Sequence, residues 1–165
     1  MIRMMKKLFI GLCLLVLSVA ANAQFERGKI LLNTSVTGID LSYSDSEKGH
    51  FGLDAMGGYF VLDNFALTGT LGMDLRDNLD KYYVGVGGRY YLQDNGIFFG
   101  GMIKDTSYRY KNDNNENDFS LVGEAGYAFF LSKTVTIEPS VSYNLSLSNS
   151  DYSKLGFKLG FSFYF

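Results

Sequence analysis

The last eleven residues alternate without a fault. Leu155, Phe157, Leu159, Phe161, Phe163 and Phe165 take every second position, and Gly156, Lys158, Gly160, Ser162 and Tyr164 stand between them. A period of two sends successive side chains to opposite faces of a strand. One face of this segment is wholly large and apolar; the other is small or polar. The same alternation recurs upstream, anchored by Ile30 to Val36, Phe51 to Val61, Phe65 to Leu75, Tyr82 to Leu92, Ile97 to Ile103, Phe119 to Leu131 and Val135 to Leu147. After Gln24 no stretch carries an apolar stripe at helical spacing. The pattern predicts an all-β chain of eight antiparallel strands, each of roughly 10 to 13 residues.

The connections alternate too. Leu62-Asp63-Asn64, Gln93-Asp94-Asn95 and Ser132-Lys133 are tight turns, whereas Gly38 to Gly49 and Lys111 to Asp118 are longer and polar. The Arg76 to Lys81 and Ser148 to Tyr152 connections are short but charged or polar. Short turns at one end and longer loops at the other describe an up-and-down membrane barrel. Volume decides which face points in. The lumen of eight strands is only wide enough for side chains to fill. The apolar set, rich in Phe, Tyr and Leu, does not fit there. The other face, rich in Gly, Ser and Thr, suits a narrow interior. The apolar face is therefore expected to meet lipid, and closure pairs the backbone groups that hydrocarbon cannot solvate.

The N-terminus reads as an address. Arg3, Lys6 and Lys7 precede an apolar run from Leu8 to Ala20, and Ala21-Asn22-Ala23 fits a small-x-small cleavage site. Residues 1–23 are expected to be a cleaved signal peptide and residues 24–165 the barrel domain. Cys13, the one cysteine, lies inside the apolar run behind Leu12, which argues against lipidation. Cleavage leaves a chain without cysteine, with 12 rather than 15 basic residues against 17 acids. One Cys and one His exclude a disulfide scaffold and a structural zinc site. An acidic balance gives no electrostatic footprint for nucleic acid.

The ending Phe161-Ser162-Phe163-Tyr164-Phe165 resembles the assembly signal of bacterial outer-membrane barrels. Gly58-Tyr59-Phe60-Val61-Leu62-Asp63-Asn64-Phe65-Ala66-Leu67, Gly88-Arg89-Tyr90-Tyr91-Leu92 and Ile137-Glu138-Pro139 with Tyr143 are similar to segments of the small outer-membrane β-barrel family of Gram-negative bacteria, the OmpX/OmpA-like porin superfamily. The resemblance covers residues 24–165. It implies an eight-stranded outer-membrane barrel with both termini in the periplasm and its longer loops outside. It also implies insertion by the outer-membrane assembly machinery after passage with periplasmic chaperones. It implies no single activity. The expected surroundings are outer-membrane lipid and lipopolysaccharide, the expected state a monomer, and an extracellular ligand is left unnamed. Anchoring to the cell wall through a peptidoglycan-binding domain, as in two-domain relatives, is not expected.

The inward parity collects charges of both signs. Asp54, Lys104, Glu124 and Lys158 fall near mid-height, with Arg89 and Glu138 nearer the short-turn end. Such groups should pair, because an unpaired buried charge is costly. The expectation is a charge network that fills the lumen; the rival is a narrow, charge-lined channel. A second rival is a lipid-modifying hydrolase or acyltransferase with His50 as base, Ser42 or Ser44 as nucleophile and Asp54 as orienting carboxylate. Nothing in the spacing favours it, and no catalytic residue or cofactor is assigned. The run from Asp113 to Asp118 lacks the spacing of a calcium loop and is expected to be a solvated hairpin tip. Pro139 removes one ladder hydrogen bond and is expected to mark a bulge in its strand.

Overall fold

A computed structural model describes residues 25–37, 51–75, 79–93, 95–110, 116–148 and 153–165. Nine strands follow in chain order: β1 (Ile30–Thr37), β2 (Phe51–Leu62), β3 (Phe65–Leu75), β4 (Leu79–Tyr91), β5 (Ile97–Tyr110), β6 (Glu116–Tyr127), β7 (Phe129–Phe130), β8 (Val135–Ser146) and β9 (Lys154–Tyr164). Each long strand pairs antiparallel with its sequence neighbour, β9 pairs with β1, and β6 pairs with β8. The sheet closes on itself. β7 is a two-residue continuation of β6: Gly126 faces Ser140 and Phe129 faces Ile137 on one uninterrupted register. The barrel wall therefore has the eight strands that the alternation predicts.

The registers fix the shape. A level row starting at Ile30 runs through Tyr59, Leu67, Gly88, Gly101, Gly123 and Tyr143 to Leu155. Ile30 itself exchanges both backbone hydrogen bonds with Phe165, ten residues beyond Leu155. A stagger of ten on eight strands sets a tilt of about 40° and leaves an interior that side chains fill. The twelve residues of β2, rising about 3.3 Å each at that tilt, span roughly 30 Å, the thickness of a bilayer core.

At the tight end, Asp63 and Asn64 turn β2 into β3. Asn64 takes the left-handed φ of 65° and a register shift follows at Phe60 to Leu62, which is the short-hairpin-with-bulge solution. Gly96 supplies the left-handed residue at φ 75° between β4 and β5. Three sequence expectations need correction. β4 begins at Leu79 and β6 at Glu116, so two of the polar connections are shorter than charge alone suggests. Parity then carries Asp118 into the lumen, 1% exposed, where it accepts a hydrogen bond from Ser146 Oγ. It is not part of a solvated tip. Nor does Pro139 bulge β8, which keeps register with β9 from Val135 to Asn144. The interruption falls on the opposite neighbour. No pair forms between Gly126–Ser140 and Phe129–Ile137, where Pro139 has no N–H to give, while Ala128 N–H donates to Gly96 O on the other side, as the next rung of the β5–β6 ladder.

The faces separate as the volume argument requires. The large apolar residues of the alternating set lie outside, with Leu71 and Val86 each 64% exposed. Tyr59, Tyr90, Phe99, Phe163 and Phe165 form an outward aromatic band at the short-turn end. Inside stand Ser, Thr and Asn with a minority of charges and aromatics. Inward glycines sit beneath large cross-strand neighbours. A Cβ on Gly126 would fall 2.5 Å from the Phe98 ring, and one on Gly72 within 2.2 Å of the Tyr83 ring.

Candidate functional site

The lumen is built in storeys. At the short-turn end the chain doubles its aromatics: Tyr59-Phe60, Tyr90-Tyr91, Phe98-Phe99 and Phe163-Tyr164-Phe165. In each set the residues of one parity face lipid, so the residue between or beside them must face in. Phe60, Tyr91, Phe98 and Tyr164 are accordingly buried to 1% exposure or less. Phe25, ahead of β1, fills the space between them. Its ring stacks on Tyr91 at 4.0 Å and meets Tyr164 edge-on at 5.6 Å. The segment is pinned there by Asn64 N–H donating to Phe25 O at 2.6 Å and Arg27 N–H donating to Asp63 Oδ1 at 2.9 Å. These rings close the short-turn end.

Arg89 lies directly above the plug. Its guanidinium covers the Phe98 ring at 4.2 Å and reaches Glu124 at 3.0 Å and Glu138 at 2.8 Å. The register explains both contacts. Arg89, Gly100 and Glu124 stand on one row of β4, β5 and β6. With no side chain on Gly100, the ion pair passes over it. The same row reaches β8 at Ser142. Glu138 stands four residues nearer the short-turn end, close to half the stagger, and the tilt brings it level with Arg89 across the lumen. The Glu138 carboxylate also accepts from Tyr164 Oη at 2.6 Å, Thr136 Oγ1 at 2.8 Å and Asn33 Nδ2 at 3.3 Å. Glu124 accepts from Ser140 Oγ at 2.8 Å. Five strands of the wall, β1, β4, β6, β8 and β9, are thus tied together through two carboxylates.

Higher up, Asp54 pairs with Lys158 Nζ at 3.4 Å and accepts from Ser35 Oγ at 3.3 Å. A cavity of only about 20 Å³ separates this pair from the Arg89 cluster. Above it, towards the longer connections, a chamber of about 110 Å³ opens in the lumen. The six charged residues singled out from the sequence therefore divide into three groups. Arg89, Glu124 and Glu138 form one cluster, Asp54 and Lys158 a separate pair, and Lys104 borders the chamber with its ammonium 4.9 Å from the Tyr83 ring. The plug aromatics were missed by the sequence reading, although the doubled aromatics at strand ends carry the signal. His50, Ser42 and Ser44 lie outside the described residues. Asp54 is engaged by Lys158 and Ser35. Among the described residues no group of three or more His, Cys, Asp or Glu side chains could hold a metal ion.

Solved structures share this architecture. The N-terminal β-barrel domain of Pseudomonas aeruginosa OprF superposes with a TM-score of 0.68 at 11% identity, over 84% of this chain and 98% of that one. The Yersinia pestis outer membrane protein Ail in a phospholipid nanodisc gives 0.59 at 14% identity, over 84% and 100%. Neisserial surface protein A gives 0.56 at 11% identity, over 82% and 94%. The fold is that of the small outer-membrane β-barrels. No family model and no curated protein matches the sequence. At these identities the likeness rests on strand number, topology and closure, all of which the registers show independently.

Proposed function

We propose that this chain is an integral outer-membrane protein whose sealed barrel is a scaffold, with surface contacts made through its longer connections and no catalytic activity of its own. The observation that carries the reading is the plugged lumen. Four buried rings, Phe25 and the Arg89–Glu124–Glu138 cluster fill the short-turn end, so the interior is spent on holding the wall together. The apolar, aromatic-banded exterior supports a lipid environment. The similar folds of an outer membrane protein named for attachment and invasion and of a surface protein support the surface role. On this reading residues 1–23 are a cleaved signal peptide and residues 24–165 the barrel. Phe161, Phe163 and Phe165 are read by the assembly machinery, lipopolysaccharide surrounds the monomeric wall, and the connections at 38–49 and 111–115 meet external partners.

Cysteine labelling tests the placement. Cys13 is the one cysteine in the sequence, so a cysteine introduced by Asn112→Cys or Lys133→Cys reports alone after cleavage. On intact cells, a membrane-impermeant maleimide should label the Asn112→Cys protein and spare the Lys133→Cys protein until the envelope is opened. The reverse pattern, or no membrane protection of either, overturns the proposal.

A further inference from the structure

We infer that Phe25 is a latch: its ring docks only on the finished barrel and then holds the closing seam shut. This goes beyond the scaffold role, because it gives the wall an order of assembly and a lifetime, and it is independent of what the outer connections touch. The latch is separate from the wall it secures. Glu26 to Lys29 form a turn, with Lys29 N–H donating to Glu26 O at 3.2 Å and Gly28 in the left-handed region at φ 93°. Glu26, Arg27 and Gly28 are exposed, whereas Phe25 is buried. The turn folds the chain back, so that Ile30 starts the wall while the Phe25 ring enters the lumen. The hydrogen bonds of the segment go to the β2–β3 hairpin alone. Asn64 N–H donates to Phe25 O at 2.6 Å, Gly28 N–H to Phe60 O at 2.8 Å and Arg27 N–H to Asp63 Oδ1 at 2.9 Å.

The seat of the ring is drawn from the whole chain. Phe60 comes from β2, Tyr91 from β4, Phe130 from β7 and Tyr164 from β9, at centroid distances of 6.1, 4.0, 5.7 and 5.6 Å. Tyr164 reaches its place through the pairing of β9 with β1, where it faces Leu31. That pairing is the closure of the sheet, since it joins the first strand to the last. In an open sheet β1 and β9 are opposite edges, and one side of the seat is missing. A ring whose seat is made by closure adds nothing to the barrier for closing. It adds to the barrier for opening, because an interaction absent from the transition state acts on unfolding alone. The placement suits a lock. Phe60 and Tyr164 belong to β2 and β9, the two neighbours of β1, so the Phe25 ring touches both sides of the strand that closes the seam. Drawing β9 away from β1 breaks the seat at Tyr164. Kinetic stability is built from late contacts of this kind.

The test uses protein expressed from the full sequence and purified from membranes, then denatured and refolded into lipid vesicles. Folding and unfolding rates are read separately, by heat-dependent gel mobility and far-UV circular dichroism. Phe25→Ala should unfold about a hundredfold faster than the parent and fold within about twofold of the parent's rate. Gly28→Ala strains the left-handed turn without touching the wall, because an added Cβ there meets nothing within 4 Å. It should unfold about tenfold faster and fold at the parent's rate. Leu159→Arg, which alters the lipid face of the wall itself, should slow folding in the same assay. The inference is overturned if either latch variant slows folding as Leu159→Arg does, if Phe25→Ala does not fold, or if Phe25→Ala unfolds at the parent's rate.

Discussion

Glu138 is where the wall is most exposed to a single change. Its carboxylate accepts from Arg89, Tyr164, Thr136 and Asn33, joining β1, β4, β8 and β9 at one buried point. Hydrogen bonds to a charged group contribute about 1.5–3 kcal/mol each, and burying the carboxylate offsets several kcal/mol of that sum. Glu138→Ala removes the acceptor and leaves Arg89 with Glu124 as its one remaining carboxylate partner here. The expected loss is about 3–5 kcal/mol, the range for breaking a buried pair from one side. Glu138→Gln keeps the shape and loses only the charge, so it should cost less than Glu138→Ala. The chain has no Trp, so denaturant unfolding in lipid vesicles is best followed by far-UV circular dichroism and gel mobility. A double-mutant cycle of Arg89→Met with Glu138→Met isolates the pair. Additivity within about 0.5 kcal/mol, or a loss under about 1 kcal/mol for Glu138→Ala, would refute the reasoning.

Three other outcomes follow from the packing. Leu159→Arg places a charge on the lipid face and should cost about 2–4 kcal/mol near the midplane; normal assembly and unchanged unfolding would reverse the assignment of faces. Phe25→Ala empties the centre of the aromatic plug and should lower stability by about 3 kcal/mol, read from the unfolding midpoint. Gly126→Val drives a side chain into the Phe98 ring and the Pro139 carbonyl; refolding yield should fall well below that of Gly123→Val, because an added Cβ at Gly123 meets nothing within 4 Å.

Strand number and the inside-outside assignment were legible in the sequence because both depend on parity, which each strand states for itself. The positions of the tight turns were legible for the same reason. Which charges pair was not. Arg89 and Glu138 are 49 residues apart and meet only because a ten-residue stagger returns β8 to the height of β4. That stagger is a property of the closed sheet and belongs to no one strand. Strand ends were misjudged where polar residues continue a strand, as at Glu116 to Asp118, because the solvent-facing rim of a barrel no longer demands apolar alternation. Phe25 was invisible for a different reason. It precedes the first alternating segment, and its burial depends on a cavity that four other rings create around it. Pro139 shows the converse: the local rule held, since a donor is missing, but the register is kept on both sides and only the pairing with the preceding strand lapses there.

The central claim is that the plug and the Arg89 cluster close the barrel at its short-turn end. Conductance across a planar bilayer tests it most directly, using protein shown to be folded by its gel mobility. The account predicts no discrete current steps from the parent barrel. Reproducible, salt-dependent steps from folded parent protein would contradict it.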